Sequence, residues 1–421
     1  MRVLWFTGVQ LPAVTGQGLS RAGWQEGLRK ALEEYYPDLE LLIASFGGQD
    51  YVPFQVGNAV YYNILKARKD LGRWERVIDN WKHSIYSSQD LVRCRELVET
   101  VNPDLVFMFG TENPFGLIAD QIEPPVIISI QAVLNGLIEH LFDGLSNQEK
   151  IGILFSKETF LGGGVFHKYL QLRRAIKMEA DIYKRCNYFE GRTEWDKKWK
   201  DNLNPGAKYF KIHRVLGQKY YSAVWEQSES YPYRLYTTSS NASFKGGITL
   251  VRAMIELQRR GFLHLNLRIA GIHGESSTGK IILNLIEKHN LQEQVKLLGR
   301  IQPDQIIAEM KRAALFILPS HMDNSPNSLG EAMLMGIPCI ASSAGGIESM
   351  LEDRQNGLIY DPDSISALTD CIEELISQPD FASDLGHNAL IAAHERHAPK
   401  KIAEKTYQMY CQVLNQEGKG L

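Results

Sequence analysis

Long apolar runs and closely spaced cysteines are both missing from this sequence of 421 residues. No apolar run approaches the roughly 18 residues of a membrane-spanning helix, and the N-terminal stretch 1–7 is too short for the core of a signal peptide. The five cysteines lie far apart, without a C-x-x-C pair, which argues against a disulfide framework and against a zinc knuckle. We therefore predict a soluble protein with a cytoplasmic location.

An excess of positive charge is absent as well. Lysine and arginine number 46 against 49 aspartates and glutamates, which gives a formal net charge of −3. Proteins that bind nucleic acids by neutralising phosphates are usually far more basic, so we expect no nucleic-acid partner. The composition, with 44% hydrophobic and 23% charged residues, is that of a globular protein, and the length predicts two or three domains.

Short apolar runs alternate with helical patterns along the chain. Predicted strands occupy residues 2–7, 39–46, 104–109, 126–130, 234–238, 265–271, 295–298, 315–319 and 338–342. Predicted helices occupy residues 20–34, 89–101, 166–185, 247–260, 279–289, 303–313 and 399–416. Buried strands that alternate with helices are typical of doubly wound parallel sheets, so we predict an α/β fold with two such series.

A polar stretch, residues 226–232, separates the two series. We place a domain boundary there, with an N-terminal domain over residues 1–228 and a C-terminal domain over residues 229–398. Residues 47–87 and 132–165 fit the alternation poorly, and we interpret them as excursions or as mobile loops over a cleft.

The segment 318–336 starts where a predicted strand ends, which is the edge of an open α/β sheet where ligands bind. Ser325 or Asn324 can cap a helix that has Pro326 at its first position, and Gly336 can end that helix. On its own, this pattern also fits a surface helix with a well-formed cap.

The first turn of this helix, at Asn327 and Ser328, presents backbone N–H groups and the positive end of the helix dipole, which suit a phosphate. Glu331 lies four residues after Asn327, on the same helix face. A carboxylate repels a phosphate, so we expect Glu331 to bind the paired hydroxyls of a ribose instead.

Two further features point to the same edge of the second sheet. Lys245 follows the first strand of that series, where a lysine can reach a diphosphate; the alternative is a solvated turn lysine. Arg300, in the pair Gly299-Arg300, follows another strand, at a place where a base ring can rest on backbone groups.

These residues resemble the C-terminal signature of the group 1 glycosyltransferases. The matching motifs are Asp323 with Glu331-Ala332-Met333 as the acidic pair, Gly336-Ile337-Pro338, Gly345-Gly346-x-Glu348, Asn356-Gly357-Leu358, Lys245-Gly246 and Gly299-Arg300. In the N-terminal half, three strings are similar to a subgroup from bacterial surface-polysaccharide clusters: Phe109-Gly110-Thr111-Glu112, Ser129-Ile130-Gln131 and residues 191–196.

The resemblance implies a GT-B fold, in which two Rossmann-like doubly wound domains face each other across a cleft and the C-terminal helix, about 399–421, returns to the first domain. It implies retention of the anomeric configuration, a nucleotide-diphospho-sugar donor, a glycan or lipid-linked acceptor, and no metal or other cofactor. The implied catalytic residues are Asp323, Lys245 and Gln131. The implied donor-nucleotide residues are Glu331, Ser328, Asn327, Ser325, Lys245, Arg300, Gly16 and Gly18, and those on the acceptor side are Glu112 and Arg192.

Three positions depart from the family pattern. Asp323 is one methylene shorter than the usual glutamate, Ser240 stands where an arginine usually precedes the lysine, and Gln131 stands where a histidine is common. A glutamine can hydrogen-bond a sugar hydroxyl but cannot act as a base at neutral pH. These departures leave open a catalytically silent nucleotide-sugar-binding scaffold. A second alternative, independent of them, is a nucleotide-sugar epimerase of the same fold.

Other chemistries fit the sequence less well. The glycines of the first loop do not have the G-x-G-x-x-G spacing of a dinucleotide site. Asp361-Pro362-Asp363 is a D-x-D string of the kind that holds a metal in other glycosyltransferases, but Asp363 or Ser364 is also a plausible helix cap. His394 and His397 could share a helix face, without a third ligand nearby.

Residues 168–200 are basic within an acidic protein. They contain ten lysines and arginines against five acids, with Tyr169, Tyr183, Trp195 and Trp199 between them. Such a stretch can rest on an anionic membrane, which predicts peripheral contact with the inner face of the membrane; the alternative is an ordinary solvated helix face.

Overall fold

The computed structural model describes residues 1–10, 23–47, 52–65, 73–82, 86–156, 159 and 161–419. These residues form two compact units. Unit 1 comprises Met1–Ile138, Lys157–Val215 and Ala398–Leu421, and unit 2 comprises Glu139–Ser156 and Leu216–His397. Gly16 and Gly18, two of the predicted donor residues, lie outside the described residues.

Unit 1 is built on an eight-stranded sheet in the order β3-β4-β2-β1-β5-β6-β7-β8, parallel except for the β3–β4 hairpin at its edge. Its strands are β1 (Arg2–Thr7), β2 (Glu40–Gly47), β3 (Phe54–Val56), β4 (Ala59–Leu65), β5 (Leu105–Phe109), β6 (Val126–Ser129), β7 (Tyr188–Gly191) and β8 (Lys208–Lys211). Its helices are α1 (Gly23–Tyr35), α2 (Arg73–Lys82), α3 (Ser88–Val101), α4 (Leu134–His140, ending in unit 2), α6 (Gly164–Arg185), α7 (Glu194–Leu203) and α15 (Pro399–Gln416).

Both faces of this sheet are buried, which explains the continuous apolar runs of its strands. Trp5 and its same-face neighbours pack against α1 and α15, where Trp5 Nε1 donates to the Tyr410 hydroxyl at 3.1 Å. Phe6 and its neighbours pack on the opposite face against α3 and α6. The C-terminal helix is therefore part of the unit 1 core.

Unit 2 contains a six-stranded parallel sheet in the order β11-β10-β9-β12-β13-β14. Its strands are β9 (Tyr231–Thr238), β10 (Asn266–Ala270), β11 (Val295–Gly299), β12 (Ala313–Leu318), β13 (Cys339–Ser342) and β14 (Leu358–Tyr360). Its helices are α5 (Asn147–Leu154), α8 (Gln218–Ser222), α9 (Gly247–Arg259), α10 (Ser277–Lys288), α11 (Pro303–Arg312), α12 (Asn327–Met335), α13 (Ile365–Ser377) and α14 (Pro379–Arg396). The loops that follow the central strands β9 and β12 form the candidate site described below.

The predicted α/β class, with two Rossmann-like parallel-sheet units, is confirmed. The main difference concerns residues 47–87, which we interpreted as an excursion or a mobile loop. Within them, residues 54–65 instead add the edge strands β3 and β4 to the first sheet, with Phe54 stacked on Tyr61 at 5.3 Å between ring centroids. These two strands are short and partly exposed, and their apolar and polar residues alternate too weakly to be recognised as strands in the sequence.

The division into units differs from the predicted boundary at residue 228. Residues 216–228 belong to unit 2 because Trp225 is buried there: its backbone N–H donates to Met335 O and its indole N–H to Ala313 O, at 2.8 and 2.7 Å. Residues 139–156 also belong to unit 2, although unit 1 residues flank them in the sequence. Neither feature has a signal in the local alternation of strands and helices.

Candidate active site

Two loops meet at the carboxyl ends of β9 and β12. A 3-10 turn, Ser243–Lys245, follows β9, and Gly246 (φ +74°) leads from it into α9. A Cβ atom on Gly246 would lie 1.7 Å from the carbonyl oxygen of Pro319, so only glycine permits this approach. The backbone N–H of His321 donates to Phe244 O at 2.7 Å, which fastens the second loop to the first.

This approach brings Lys245 and Asp323 together. Lys245 Nζ lies 2.5 Å from Asp323 Oδ2, and the two side chains are 28% and 17% exposed. The glycine pair that follows β13 packs against the backbone of Asp323. A Cβ on Gly345 (φ +62°) would lie 2.1 Å from Asp323 O, and the N–H of Gly346 donates to that oxygen at 2.9 Å. A partly exposed ion pair can exchange partners, so Lys245 remains available to an anionic ligand.

Helix α12 begins beside this pair. The predicted cap by Ser325 or Asn324 is wrong: Pro326 occupies the N-cap position without a side-chain cap, because α12 starts one residue later, at Asn327. The Ser325 hydroxyl instead lies 3.5 Å from Met350 Sδ. The first turn of α12 thus has no side-chain cap, a geometry that suits an anion. The helix ends at Gly336 (φ +80°), as predicted.

Glu331 lies partly exposed in the second turn of α12. Desolvation raises the pKa of its carboxyl group to about 8, and this shift is partly offset by a hydrogen bond from the Tyr220 hydroxyl. Tyr220, on α8, is 6% exposed. Sequence reasoning missed Tyr220, which lies far from Glu331 in the chain and outside any recognisable motif.

Arg300 lies at the same edge of the unit 2 sheet. It is exposed and follows Gly299 (φ +62°), the last residue of β11. Since β10 separates β11 from β9, Arg300 is two strands away from the loop that carries Lys245.

In unit 1, three predicted residues gather at the carboxyl ends of β5, β6 and β7. Gln131 Nε2 donates to Ser129 Oγ at 2.7 Å, and its side-chain oxygen accepts from Arg214. Arg192 is 2% exposed and its Nη2 donates to Gln131 O at 2.8 Å. Glu112 and Gln131 line a pocket of about 320 Å³. Gln131 is therefore held in one orientation by its neighbours.

One pocket residue and one residue packed against it carried no signal in the sequence. Trp24 lines the pocket, and the Arg214 guanidinium lies 3.8 Å from the centroid of its ring. Desolvation raises the pKa of Glu112 to about 7, against the lowering effects of its own backbone N–H and of the Arg214 and Arg192 charges. This pocket thus combines an aromatic wall, an amide held by its neighbours and a carboxyl group whose pKa lies near 7.

The D-x-D string forms a turn and precedes a capped helix. Asp361 Oδ1 accepts from the N–H of Asp363 at 3.0 Å, and the Ser364 hydroxyl accepts from Ala367 N at 3.1 Å at the start of α13. No group of three or more histidine, cysteine, aspartate or glutamate side chains with metal-site geometry occurs among the described residues.

The basic stretch 168–200 is only partly a surface. Lys200 is 3% exposed and its Nζ donates to Ala207 O, and Arg192 is buried. Tyr183 is buried, and Trp195 packs against the unit 1 core. The exposed basic residues of α6 are Lys168, Arg173, Arg174, Lys177, Lys184 and Arg185. Across the described ranges, every helix is too short or too polar to cross a bilayer.

Comparison with known proteins shows a family match within unit 2. Residues 229–390 match the family described as "Glycosyl transferases group 1". The predicted resemblance is therefore confirmed over residues 229–390, which lie in unit 2, and the fold of the chain is similar to that of glycosyltransferases of GT-B fold.

Individual relatives are distant. An uncharacterised glycosyltransferase of Methanocaldococcus jannaschii is 30% identical over 115 residues, 27% of this chain and 32% of the relative. The curated relatives are thus matched over about a third of their length. Sucrose-phosphate synthase of Thermosynechococcus elongatus is similar in structure, with TM-score 0.73, 14% identity, and coverage of 99% of this chain and 100% of that one. Anabaena HepE in complex with UDP and glucose has TM-score 0.65, 16% identity, and coverage of 97% and 98%.

Proposed function

We propose that this protein is a glycosyltransferase that moves a sugar from a nucleotide-diphospho-sugar to a glycan or lipid-linked glycan, with retention of configuration. The observation that carries the proposal is the Lys245–Asp323 pair at 2.5 Å beside the start of α12. One cation, one helix N-terminus without a side-chain cap and one carboxylate support the binding of a sugar diphosphate. Glu331, four residues into α12, supplies an acceptor for the ribose hydroxyls.

The reaction needs little acid–base chemistry from the chain. The bond between the anomeric carbon and the diphosphate oxygen breaks, its electron pair leaves with the diphosphate, and the sugar passes through an oxocarbenium-like state. Lys245 and the N–H groups of Asn327 and Ser328 stabilise the charge that grows on the diphosphate. The acceptor hydroxyl bonds to the anomeric carbon and gives its proton to the leaving phosphate oxygen. No metal enters this scheme.

The unit 1 pocket is the proposed acceptor site. Its amide at Gln131 donates to Ser129 O and Ser129 Oγ, and its side-chain oxygen accepts from Arg214. The second lone pair of that oxygen can accept a hydrogen bond from a sugar hydroxyl without moving a proton. Trp24 offers a flat apolar surface of the kind on which a sugar ring packs. Glu112 adds a carboxyl group to the lining. Arg192 is buried and acts on this site through Gln131, whose backbone oxygen it holds at 2.8 Å.

A thermal-shift screen tests donor binding. HepE binds UDP and glucose, so UDP and UDP-sugars come first, followed by the other nucleoside diphosphates and their sugars. A ligand at a hundred times its Kd stabilises the folded state by about 2.7 kcal/mol. We expect one nucleoside diphosphate and its sugar to raise the melting temperature, and the absence of any shift would contradict donor binding.

Turnover of a radiolabelled nucleotide sugar, with and without acceptor, separates the proposed reaction from its alternatives. A glycosyltransferase transfers label only when acceptor is present. An epimerase of the same fold releases free sugar or an epimer without acceptor, and a silent scaffold binds nucleoside diphosphate yet turns over no donor.

We further propose a cytoplasmic location with peripheral contact to an anionic membrane. The exposed arginines and lysines of α6 support it, together with three exposed apolar side chains on one face of α2. These are Trp74, Ile78 and Trp81, which are 73%, 57% and 47% exposed. Trp81 packs against His167 of α6, with 4.5 Å between ring centroids, so the apolar and basic surfaces adjoin. Tryptophan favours the membrane interface, and basic residues favour its anionic lipids.

A further inference from the structure

Residues 139–156, here called the bracing segment, pack within unit 2 against the loop that carries Lys245. Leu141, Leu145 and Ile153 are each at most 7% exposed. Its helix α5 opens with a reciprocal cap: Ser146 Oγ accepts from the N–H of Glu149, and Glu149 accepts from the N–H of Ser146. The segment is thus a folded part of unit 2 and not a loose connection.

The bracing segment makes its first contact at the 3-10 turn itself. The hydroxyl of Ser243, which is 2% exposed, donates to Leu141 O at 2.9 Å. Ser243 lies two residues before Lys245, and its carbonyl oxygen accepts from Gly246 N at 2.9 Å. The bond to Leu141 therefore fixes the turn from outside the sheet.

Gly144 makes the second contact. A Cβ atom there would lie 3.3 Å from three atoms at once: Ser243 O, Thr249 Oγ1 and His321 Nε2. The glycine has φ +77°, so both its conformation and its surroundings restrict the position. Since His321 opens the loop that carries Asp323, the segment touches both loops of the candidate site.

Arg252 on α9 makes the third contact. Its Nη1 donates to Gly144 O and its Nη2 to Glu149 Oε2, each at 2.6 Å. The guanidinium and the carboxylate are 24% and 18% exposed, so water screens this pair less than a surface pair. A planar guanidinium that holds a carbonyl and a carboxylate together constrains both partners.

We propose that Arg252 and Ser243 are positioning residues that, through the bracing segment, hold Lys245 in place for the diphosphate of the donor. This inference rests on the proposed function. Its physical basis is that a charge displaced by about 1 Å from its place in the transition state can lose up to a hundredfold in rate. Arg252 and Ser243 act through Lys245 and need no contact with the substrate.

A double-mutant cycle tests whether the effect passes through Lys245. In the parent chain, Arg252→Gln should lower kcat for the nucleotide sugar about tenfold or more, with KM changed less than about threefold. On a Lys245→Ala background the same substitution should change kcat by less than about twofold, because the group that it positions is gone. Equal losses on both backgrounds would overturn the proposal.

Two further variants separate positioning from stability. Arg260→Gln is the matched control: Arg260 caps the far end of α9 and pairs with Asp370 and Glu373, so kcat should not change. Ser243→Ala removes the bond to Leu141 O and should lower kcat in the same way as Arg252→Gln. A loss of kcat in Arg260→Gln equal to that in Arg252→Gln would assign the effect to general destabilisation.

Hydrogen exchange gives a readout that does not require turnover. Loss of the contacts made by the bracing segment should speed hydrogen exchange at the backbone amides of Gly246 and His321, which donate to Ser243 O and Phe244 O. We expect faster exchange in Arg252→Gln and in Ser243→Ala, and parent rates in Arg260→Gln. If the parent turns over no donor, the proposed function fails. Unchanged hydrogen exchange in both Arg252→Gln and Ser243→Ala would overturn the proposal that the bracing segment holds the loop of Lys245 in place.

Discussion

The raised pKa of Glu331 predicts that binding of the proposed donor depends on pH. With a pKa of about 8, only about a tenth of the molecules carry an ionised carboxylate at pH 7. If the ribose hydroxyls bind the ionised form, the observed Kd should fall about tenfold per pH unit below 8 and level off above it. Between about pH 6 and about pH 8.5 this amounts to roughly 75-fold, or ~2.5 kcal/mol.

The assay is calorimetric titration with a nucleotide sugar. A nucleotide sugar is preferable to a nucleoside diphosphate because its bridging phosphates carry no titrating proton in this range. Glu331→Gln should abolish the pH dependence. Glu331→Ala should cost about 1.5–3 kcal/mol of binding free energy above pH 8, and less at neutral pH.

Two tyrosine variants locate the source of the shift. The Tyr220 hydroxyl donates to Glu331 and lowers its pKa, so Tyr220→Phe should move the midpoint above 8. Tyr221→Phe is the matched control, since the Tyr221 hydroxyl donates to His397 O at 2.7 Å, and should leave the midpoint in place. A flat profile in the parent, or a pH dependence that survives in Glu331→Gln, would refute the assignment of Glu331 to the ribose.

Three further outcomes follow from the structure. Lys245→Ala should lower kcat on the order of a hundredfold and change the KM for the donor far less, because the negative charge next to Lys245 grows as the bond to the sugar breaks. In steady-state kinetics, a raised KM at unchanged kcat would contradict this. In denaturant unfolding, Gly246→Ala should lower the free energy of unfolding by more than about 2 kcal/mol. The control Gly261→Ala, at φ +95° with no atom within 4 Å of the added Cβ, should lower it only by the roughly 1–2 kcal/mol that a left-handed backbone costs. Equal losses would contradict the close approach to Pro319. In liposome sedimentation, binding should require anionic lipid and weaken with added salt. A triple variant of α6 to glutamine should lose roughly 3 kcal/mol of binding free energy, while a charge-matched triple variant on unit 2 should bind like the parent. Equal pelleting with neutral vesicles would leave α6 an ordinary solvated helix. The α6 variant changes Arg173, Arg174 and Lys177, and the control changes Lys280, Lys288 and Lys296.

The sequence predicts the elements best where apolar runs and helical patterns are both clear. The strand before Lys245 and the strand before Asp323 were both recognised, because a buried parallel strand is apolar on both faces. The cap of α12 was mispredicted because several polar residues in a row can each serve as a cap. Only the backbone path shows that Pro326 takes that position.

Contacts between residues distant in the sequence carried no signal. Tyr220 reaches Glu331 across more than a hundred positions, and Arg214 reaches Gln131 across 83. The bracing segment is the clearest case: its packing depends on Ser243 and Arg252, whose partners cannot be read from local periodicity. The motif residues were thus predictable as a set, whereas the residues that hold and tune them required the fold.

Nuclear magnetic resonance of the reaction product tests the central claim most directly. The parent chain is incubated with its nucleotide sugar and an acceptor glycan, and the anomeric signals of donor and product are followed together. We predict that the donor signal declines only with acceptor present and that a new glycosidic signal of the same anomeric configuration replaces it, with the loss of rate in Lys245→Ala described above. Inverted product, free sugar formed without acceptor, or an unchanged donor signal with every acceptor would contradict retaining transfer by this chain.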